Sequence, residues 1–148
     1  VHLELLKNNN DWRYKLLNWF YNPQTEKLNS GREALKREFD NGRASIFSFE
    51  VGNLIIDRGY QVLPEYPVMG YRIDLVIQGE DARLAVECDG DQYHTFENFD
   101  EDQARERILR RAGWEFWRVT GSSFYRNKEK ALDSLWTKLA AMGIEPII

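Results

Sequence analysis

The sequence contains a single cysteine, which cannot form an internal disulfide, and no Cys-x-x-Cys or Cys/His cluster that would indicate structural zinc. It also lacks a secretory hydrophobic segment and any apolar run long enough to cross a bilayer. We therefore expect a protein of a reducing, cytoplasmic setting with no membrane partner. The first residue is valine rather than methionine, which suggests a piece excised from a longer protein.

Two consecutive parts of the chain each have few charges of one sign, and the scarce sign differs between them. Acidic residues dominate positions 72–102 and basic residues dominate positions 103–130, although the net charge is only −4. A negative centre beside a positive rim suits a metal site that acts on a polyanion. A solvated surface with local ion pairs explains the same asymmetry equally well.

Large apolar side chains are abundant, and the chain has the length of one ordinary domain. Before residue 42 we predict two helices: one after the candidate cap Asp11, and one that begins at Ser30 with Glu33 at the capping-box spacing. These helices have too few apolar positions to bury a core alone. The predicted division is therefore a helical N-terminal extension at residues 1–42 and a main domain at residues 43–148.

The main domain is predicted to contain helices and strands in the order α-β-β-β-α-β-α. The periodicity places these elements at residues 45–58, 60–63, 71–78, 83–88, 100–112, 114–120 and 127–142. Prolines at positions 64 and 67 are expected to stop the first strand, which suggests an edge position or an irregular end. Hairpins imply antiparallel pairs, whereas a strand, a crossover helix and a further strand imply a parallel pair. The expected fold class is therefore α/β, with a mixed four-stranded sheet flanked by helices.

Two carboxylates lie in the predicted hairpin of residues 71–78 and 83–88. Strict alternation would place Asp74 opposite an apolar row of Tyr71, Ile73, Leu75 and Ile77, and would allow Asp74 to share a face with Glu87. Crowded carboxylates repel one another and are costly to desolvate, so they imply a cation, a proton or a basic partner. No Lys or Arg alternates on that face near Glu87, which makes a divalent metal the economical interpretation.

Glu50 lies within the apolar stripe of the helix predicted at residues 45–58. An isolated glutamate in such a position usually extends to the edge of the helix or pairs with an arginine. A site shared with Asp74 and Glu87 is the alternative interpretation.

The order of these residues resembles the PD-(D/E)XK nuclease superfamily, in which a helical glutamate precedes an aspartate and a further acid on the second and third strands. A narrower resemblance is to the very-short-patch-repair endonuclease-like branch, including C-terminal domains of some superfamily I helicases. It is carried by Ile73-Asp74, Val86-Glu87-Cys88-Asp89-Gly90, His94, Asp102-x-x-Arg105, Leu109, Gly113-Trp114 and Arg118-Val119. The resemblance covers about residues 45–125 and implies a restriction-endonuclease-like fold with an α-β-β-β-α-β core.

What the resemblance implies is metal-dependent hydrolysis of phosphodiester bonds in DNA. In that family the positions of Asp74 and Glu87 hold Mg²⁺, and the backbone carbonyl of Cys88 is a further ligand; Mn²⁺ is the alternative ion. The ion polarises the phosphoryl oxygen and lowers the pKa of a bound water. Glu50 matches the acid of the first helix, which contacts the metal through water or joins a second ion.

The sequence departs from the superfamily pattern at Asp89, where a lysine usually stands. In the branch that it resembles, the position of His94 takes over proton transfer, and an imidazole with an ordinary pKa near 6.5 is suited to that role. Two roles are open for Asp89, namely orienting His94 and binding metal. A lone histidine in a loop is otherwise a surface residue that forms hydrogen bonds.

The basic side chains of the helix predicted at residues 100–112 are candidates for contact with DNA: Arg105, Arg107, Arg110 and Arg111. Pairing with Asp102 is the alternative for Arg105, and for Arg118 an ion pair competes equally with a functional role. Trp114 and Trp117 are more often core residues than base-stacking residues in a strand. Cys88 has no evident base beside it, so we expect a packed thiol.

The favoured interpretation is an Mg²⁺-dependent DNA endonuclease domain joined to a helicase or another domain in a longer chain. The loss of the usual lysine keeps open a catalytically inactive module that binds DNA or a protein partner. A glycosidase-like pair of acids is disfavoured because three acids with a basic flank fit a phosphate better. The sequence leaves open a homodimer, the choice between DNA and RNA, and any recognition sequence.

Overall fold

The computed structural model describes residues 12–13, 16–17, 23–90 and 96–148, with side chains described over the same ranges except 96–100. The elements within these ranges are α1 (Pro23–Asp40), α2 (Ile46–Asp57), β1 (Gln61–Val68), β2 (Tyr71–Gln78), β3 (Arg83–Asp89), α3 (Phe96–Arg111), β4 (Glu115–Thr120), α4 (Gly121–Arg126), α5 (Lys128–Ala131) and α6 (Asp133–Ala141). No helix in this part of the chain combines the length and the apolar character that crossing a membrane requires.

The four strands form one mixed sheet in the order β1-β2-β3-β4. The β1–β2 and β2–β3 pairs are antiparallel, whereas β3 and β4 are parallel and are connected through α3. A parallel pair needs such a crossover because the chain must return to the end of the sheet where the first strand began. The predicted α/β class, with a mixed four-stranded sheet flanked by helices, is confirmed.

Each face of the sheet packs against its own set of helices. On the first face, strand residues such as Leu84 and Val86 join side chains of α1, α2 and α6 in the larger hydrophobic cluster. On the second face, Ala85 joins a smaller cluster that includes Leu109 of α3. Trp114 and Trp117 are both buried in these clusters, so neither ring is available for stacking on bases.

The ends of several elements differ from the predictions, and β1 is the clearest case. It continues through Pro64 and Pro67 to Val68 instead of stopping at Leu63. Proline is tolerated there because β1 is an edge strand with only one partner, so the missing N–H groups need not interrupt a second ladder.

The C-terminal part also differs, because the single helix predicted at residues 127–142 is divided at Leu132 into α5 and α6. The preceding α4 was not predicted. Its N-cap is Thr120, whose hydroxyl oxygen accepts a hydrogen bond from the Ser123 amide. The polar run after β4 therefore begins a helix rather than a loop.

Helix α1 begins at Pro23, seven positions before the predicted start at Ser30. Proline fits the first helical position because the N–H that it lacks would have no partner within the helix. Leu28, Gly31 and Leu35 form the buried face of α1, and Leu28 and Leu35 belong to the larger cluster. The predicted domain boundary after residue 42 remains a prediction.

Gly31 provides a test of how closely α1 packs on the sheet. A Cβ atom at Gly31 would lie 2.8 Å from the Val62 carbonyl oxygen of β1. We expect Gly31→Ala to lower the free energy of unfolding by about 2 kcal/mol because helix and strand must separate. The exposed neighbour Ser30→Ala is the control and is expected to change it by less than about 0.5 kcal/mol. Urea unfolding measures both; a stabilised Gly31→Ala would mean that α1 does not pack on β1 in solution.

Candidate active site

The candidate site lies where the pairing between β2 and β3 ends. Strand β2 pairs with β1 from Gln78 to Tyr71, but the last pair that it makes with β3 is Leu75 with Val86. One step further in the same register, Asp74 stands opposite Glu87. The two carboxylates therefore lie where no ladder hydrogen bonds join the neighbouring strands.

The alternation of β2 shifts at Asp74, which the sequence pattern did not predict. Tyr71 and Ile73 pack with the second-face cluster, whereas Leu75 and Ile77 pack with the first-face cluster. The predicted apolar row of four residues is therefore wrong. The strand is irregular at Asp74 because the side chains change face between Ile73 and Leu75. At this point the Asp74 carboxylate takes the place of the backbone hydrogen bond that β2 does not form with β3.

Protein donors hold one oxygen of each carboxylate. Oδ2 of Asp74 accepts a hydrogen bond of 2.9 Å from the Cys88 amide. Oε1 of Glu87 accepts a hydrogen bond of 2.9 Å from the Tyr71 hydroxyl, and the Glu87 residue is only 4% exposed. In the register of the two strands the carboxyl groups of Asp74 and Glu87 are neighbours, so a proton or a cation held between them would relieve their repulsion.

The pair of half-buried Asp74 and buried Glu87 carries fewer charges than the two acids would in water. Burial, followed by the neighbouring Asp74, raises the pKa of Glu87 to about 9. Burial also raises the pKa of Asp74. Without a cation the pair therefore keeps one proton at neutral pH. A divalent ion that replaces this proton would neutralise both charges, so the donor set fits a hard cation such as Mg²⁺.

A further carboxylate, Glu65 of β1, lies across from Asp74 in the β1–β2 register and was not considered from the sequence. Burial and then the charge of Asp74 raise the pKa of Glu65 to about 7. Its φ of 49° is uncommon for a residue other than glycine. The signal in the sequence was an acid between Pro64 and Pro67, but the strand was predicted to end before it.

Asp89, which stands where the superfamily has lysine, is paired with Arg118. Nη1 of Arg118 lies 3.1 Å from Oδ1 and 3.2 Å from Oδ2 of Asp89. Nη2 of Arg118 binds Glu106, which also accepts two hydrogen bonds from Arg110. This network of alternating negative and positive side chains links β3, β4 and α3 beside the carboxylate pair. The ion pair that the sequence left open for Arg118 is therefore present.

Removing the positive charge of Arg118, which lies between Asp89 and Glu106, should destabilise the fold. Asp89 and Glu106 have side chains that are only 22% and 16% exposed, so their charges depend on Arg118 for compensation. We expect Arg118→Met to lower the free energy of unfolding by about 1–3 kcal/mol. Arg107→Met is the control because Arg107 is exposed and has no ion pair among the described residues. Equal unfolding midpoints in urea for the two variants would contradict the prediction.

Glu50 belongs to the helix layer that packs on the first face of the sheet. It lies on α2, its Oε2 is 3.7 Å from the Lys128 ammonium, and that oxygen is buried without a hydrogen-bond partner among the described residues. Burial, a hydrogen bond to Glu50 and the nearby Cys88 raise the pKa of Tyr125. The Cys88 side chain packs against the cluster of the first face.

The described residues contain no group of three or more His, Cys, Asp or Glu side chains arranged to hold one metal ion. His94 lies outside the described residues, so its predicted role stays a prediction. Cys88 is half-buried, and desolvation followed by the adjacent acids raises the pKa of its thiol, which keeps it protonated. A thiolate ligand or nucleophile at Cys88 is therefore unfavourable, and only its backbone carbonyl remains a candidate ligand.

The four candidate arginines of α3 differ in their surroundings. The guanidinium carbon of Arg105 lies 5.7 Å from the centre of the Tyr71 ring, next to the carboxylate pair. Arg110 is held by Glu106 and lies 5.2 Å from the Phe116 ring. Arg107 and Arg111 are exposed. Arg105 is therefore the one with a described contact to a residue of the site.

Comparison with known protein families gives a match. The family model REase_MTES_1575 matches residues 47–139, which include α2 from its second residue, all four strands and α3. Comparison with curated proteins and with solved structures gives no match. The matched region contains every candidate metal ligand named above.

Proposed function

The chain belongs to the restriction-endonuclease-like family REase_MTES_1575, and from this premise we propose that it is a metal-dependent DNA endonuclease domain. Membership of the family indicates a nuclease. The finer assignments, namely the Mg²⁺ requirement, the DNA substrate, the very-short-patch-repair-like branch and an attached helicase or other domain, belong to the proposal. So do the site residues and their roles.

One observation carries the proposal. Glu87 is buried and Asp74 is half-buried at the end of a strand pair, and burial raises the pKa values of both carboxyl groups. Burying two acids is costly, and a purely structural site would gain stability from apolar residues of similar size. A binding site for a hard cation explains why both acids are present.

The proposed roles follow from the position of each residue. Asp74 and Glu87 would hold Mg²⁺ or Mn²⁺, with the Cys88 carbonyl as a third ligand and Glu50 acting through water. When bound, the ion supplies Lewis-acid activation of the phosphoryl oxygen and a water of lowered pKa. His94 is proposed to transfer the proton near neutral pH. Arg105, Arg107, Arg110 and Arg111 are proposed to bind backbone phosphates.

A second candidate function is an inactive nuclease-like module that binds DNA or a protein partner. The observation that favours it is the pairing of Asp89 with Arg118, because Asp89 occupies the position of the usual catalytic lysine. A carboxylate that is already neutralised supplies no positive charge to the attacking water. Cleavage of phosphodiester bonds distinguishes the two candidates.

The test is cleavage of supercoiled plasmid by the chain with Mg²⁺, with Mn²⁺ and with EDTA. We expect nicked or linear DNA with either metal and none with EDTA, and a labelled RNA in parallel assays distinguishes the two nucleic acids. A gel-shift assay in Ca²⁺ measures binding without requiring cleavage. A DNA shift with no cleavage in any metal would support the inactive module and overturn the enzyme.

A further inference from the structure

Tyr71 makes the only side-chain hydrogen bond to Glu87 from outside the acid pair among the described residues. It opens β2 directly after the Met69-Gly70 turn, in which both residues have positive φ. Two successive positive φ values are the signature of a tight two-residue hairpin, which fixes where the strand begins. The turn therefore determines the starting position of the Tyr71 side chain.

The Tyr71 ring is held on two sides. It packs with the second-face cluster, and the Arg105 guanidinium of α3 lies 5.7 Å from its centre. A small cavity of about 60 Å³ beside the ring is lined by residues of the same hairpin and of α3. A ring restrained in this way keeps its hydroxyl directed at the gap between β2 and β3, where Glu87 lies.

A carboxylate has two oxygens, and Tyr71 holds only Oε1 of Glu87. The Cys88 amide holds Oδ2 of Asp74 in the same way. The second oxygen of each acid is then the one left for a shared proton or for a cation. Such outer hydrogen bonds set the orientation of metal-binding groups and commonly change metal affinity by about 10- to 100-fold.

We propose that Tyr71 is a positioning residue that orients the Glu87 carboxylate for divalent metal binding through its hydrogen bond to Oε1. This inference rests on the proposed metal site. It assigns a role to a residue that sequence reasoning had counted only as part of an apolar row. The hydroxyl acts through Glu87 and contacts neither metal nor substrate itself.

The test compares Tyr71→Phe with the matched control Tyr66→Phe. Each change removes one phenol oxygen from the hairpin formed by β1 and β2. The Tyr66 hydroxyl accepts a hydrogen bond from Arg83 and lies away from the acids. Calorimetric titration with Mn²⁺ measures metal affinity directly, without reference to cleavage. We expect about a 10- to 100-fold weaker Mn²⁺ affinity for Tyr71→Phe and an unchanged affinity for Tyr66→Phe.

Circular dichroism at the titration temperature establishes that each variant is folded, and phenylalanine preserves the ring packing. Equal Mn²⁺ affinities for wild type and a folded Tyr71→Phe would overturn the positioning role while leaving the metal site intact. Equal losses in both variants would assign the effect to the hairpin rather than to Glu87 and would also overturn it. Absence of Mn²⁺ binding by the wild-type chain would instead remove the proposed metal site, and this inference with it.

Discussion

Replacing Glu87 by glutamine, or Asp74 by asparagine, should reduce Mg²⁺-dependent DNA cleavage by about a thousandfold or more. A divalent cation is attracted most strongly by charged oxygen ligands, and each change replaces a charged oxygen ligand with a neutral amide oxygen. The Lewis-acid contribution of a catalytic ion is several kcal/mol, and each 1.36 kcal/mol of barrier is a factor of ten in rate. The measurement is the initial rate of plasmid nicking at a fixed Mg²⁺ concentration.

The amides are close in shape to the acids, so the hydrogen bonds from Tyr71 and from the Cys88 amide retain an acceptor. The control is Glu115→Gln, which removes an exposed carboxylate from β4 without approaching the pair. It should leave the cleavage rate unchanged. Full activity in either Glu87→Gln or Asp74→Asn would show that the buried pair does not hold the catalytic ion.

In the absence of metal, the stability of the wild-type protein should fall as pH rises from 5 to 8.5, relative to Glu87→Gln. The pKa of Glu87 is raised from 4.5 to about 9, so the folded state keeps a proton that the unfolded state releases above pH 4.5. Stability is then lost with rising pH until the folded-state pKa is reached. The difference should amount to on the order of 3 kcal/mol between pH 5 and pH 7.5.

Urea unfolding in EDTA at several pH values measures this effect. Subtracting the pH profile of Glu87→Gln from that of the wild type removes the contribution of all other titrating groups. Mg²⁺ should stabilise the wild type more at pH 8.5 than at pH 6, because the shared proton competes with the ion. At a concentration one hundred times the dissociation constant, the gain is about 2.7 kcal/mol. Parallel pH profiles for wild type and Glu87→Gln would mean that Glu87 titrates as it does in the unfolded chain.

The order of elements in the main domain could be predicted from the sequence because it depends on local periodicity. The side chain of Ser45 caps α2, Gly59 has a positive φ after the end of that helix, and the side chains of β3 alternate between the two clusters. Each of these features acts over only a few positions of the chain. A crossover helix between two strands then permits only a parallel pair of one hand. The α/β class and the mixed sheet follow from these local rules.

Element ends were less predictable because tertiary context overrides local preference. The prolines of β1 are accepted because the strand is at the edge, and Pro23 begins α1 because the apolar side of that helix packs on the core. The sequence contains the residues, but not the number of partners that each strand will have. Only the assembled sheet determines that number.

The sequence by itself determined which acids are candidates and that Asp74 and Glu87 belong to neighbouring strands. The tertiary structure decided how they meet: the β2–β3 ladder ends at Leu75, and Asp74 turns to the Cys88 amide. It also decided that Tyr71 holds Glu87, that Arg118 pairs with Asp89, and that Glu50 lies beside Lys128. The physical reason is that periodicity assigns a side chain to a face, whereas hydrogen bonds and desolvation depend on neighbours distant in the chain.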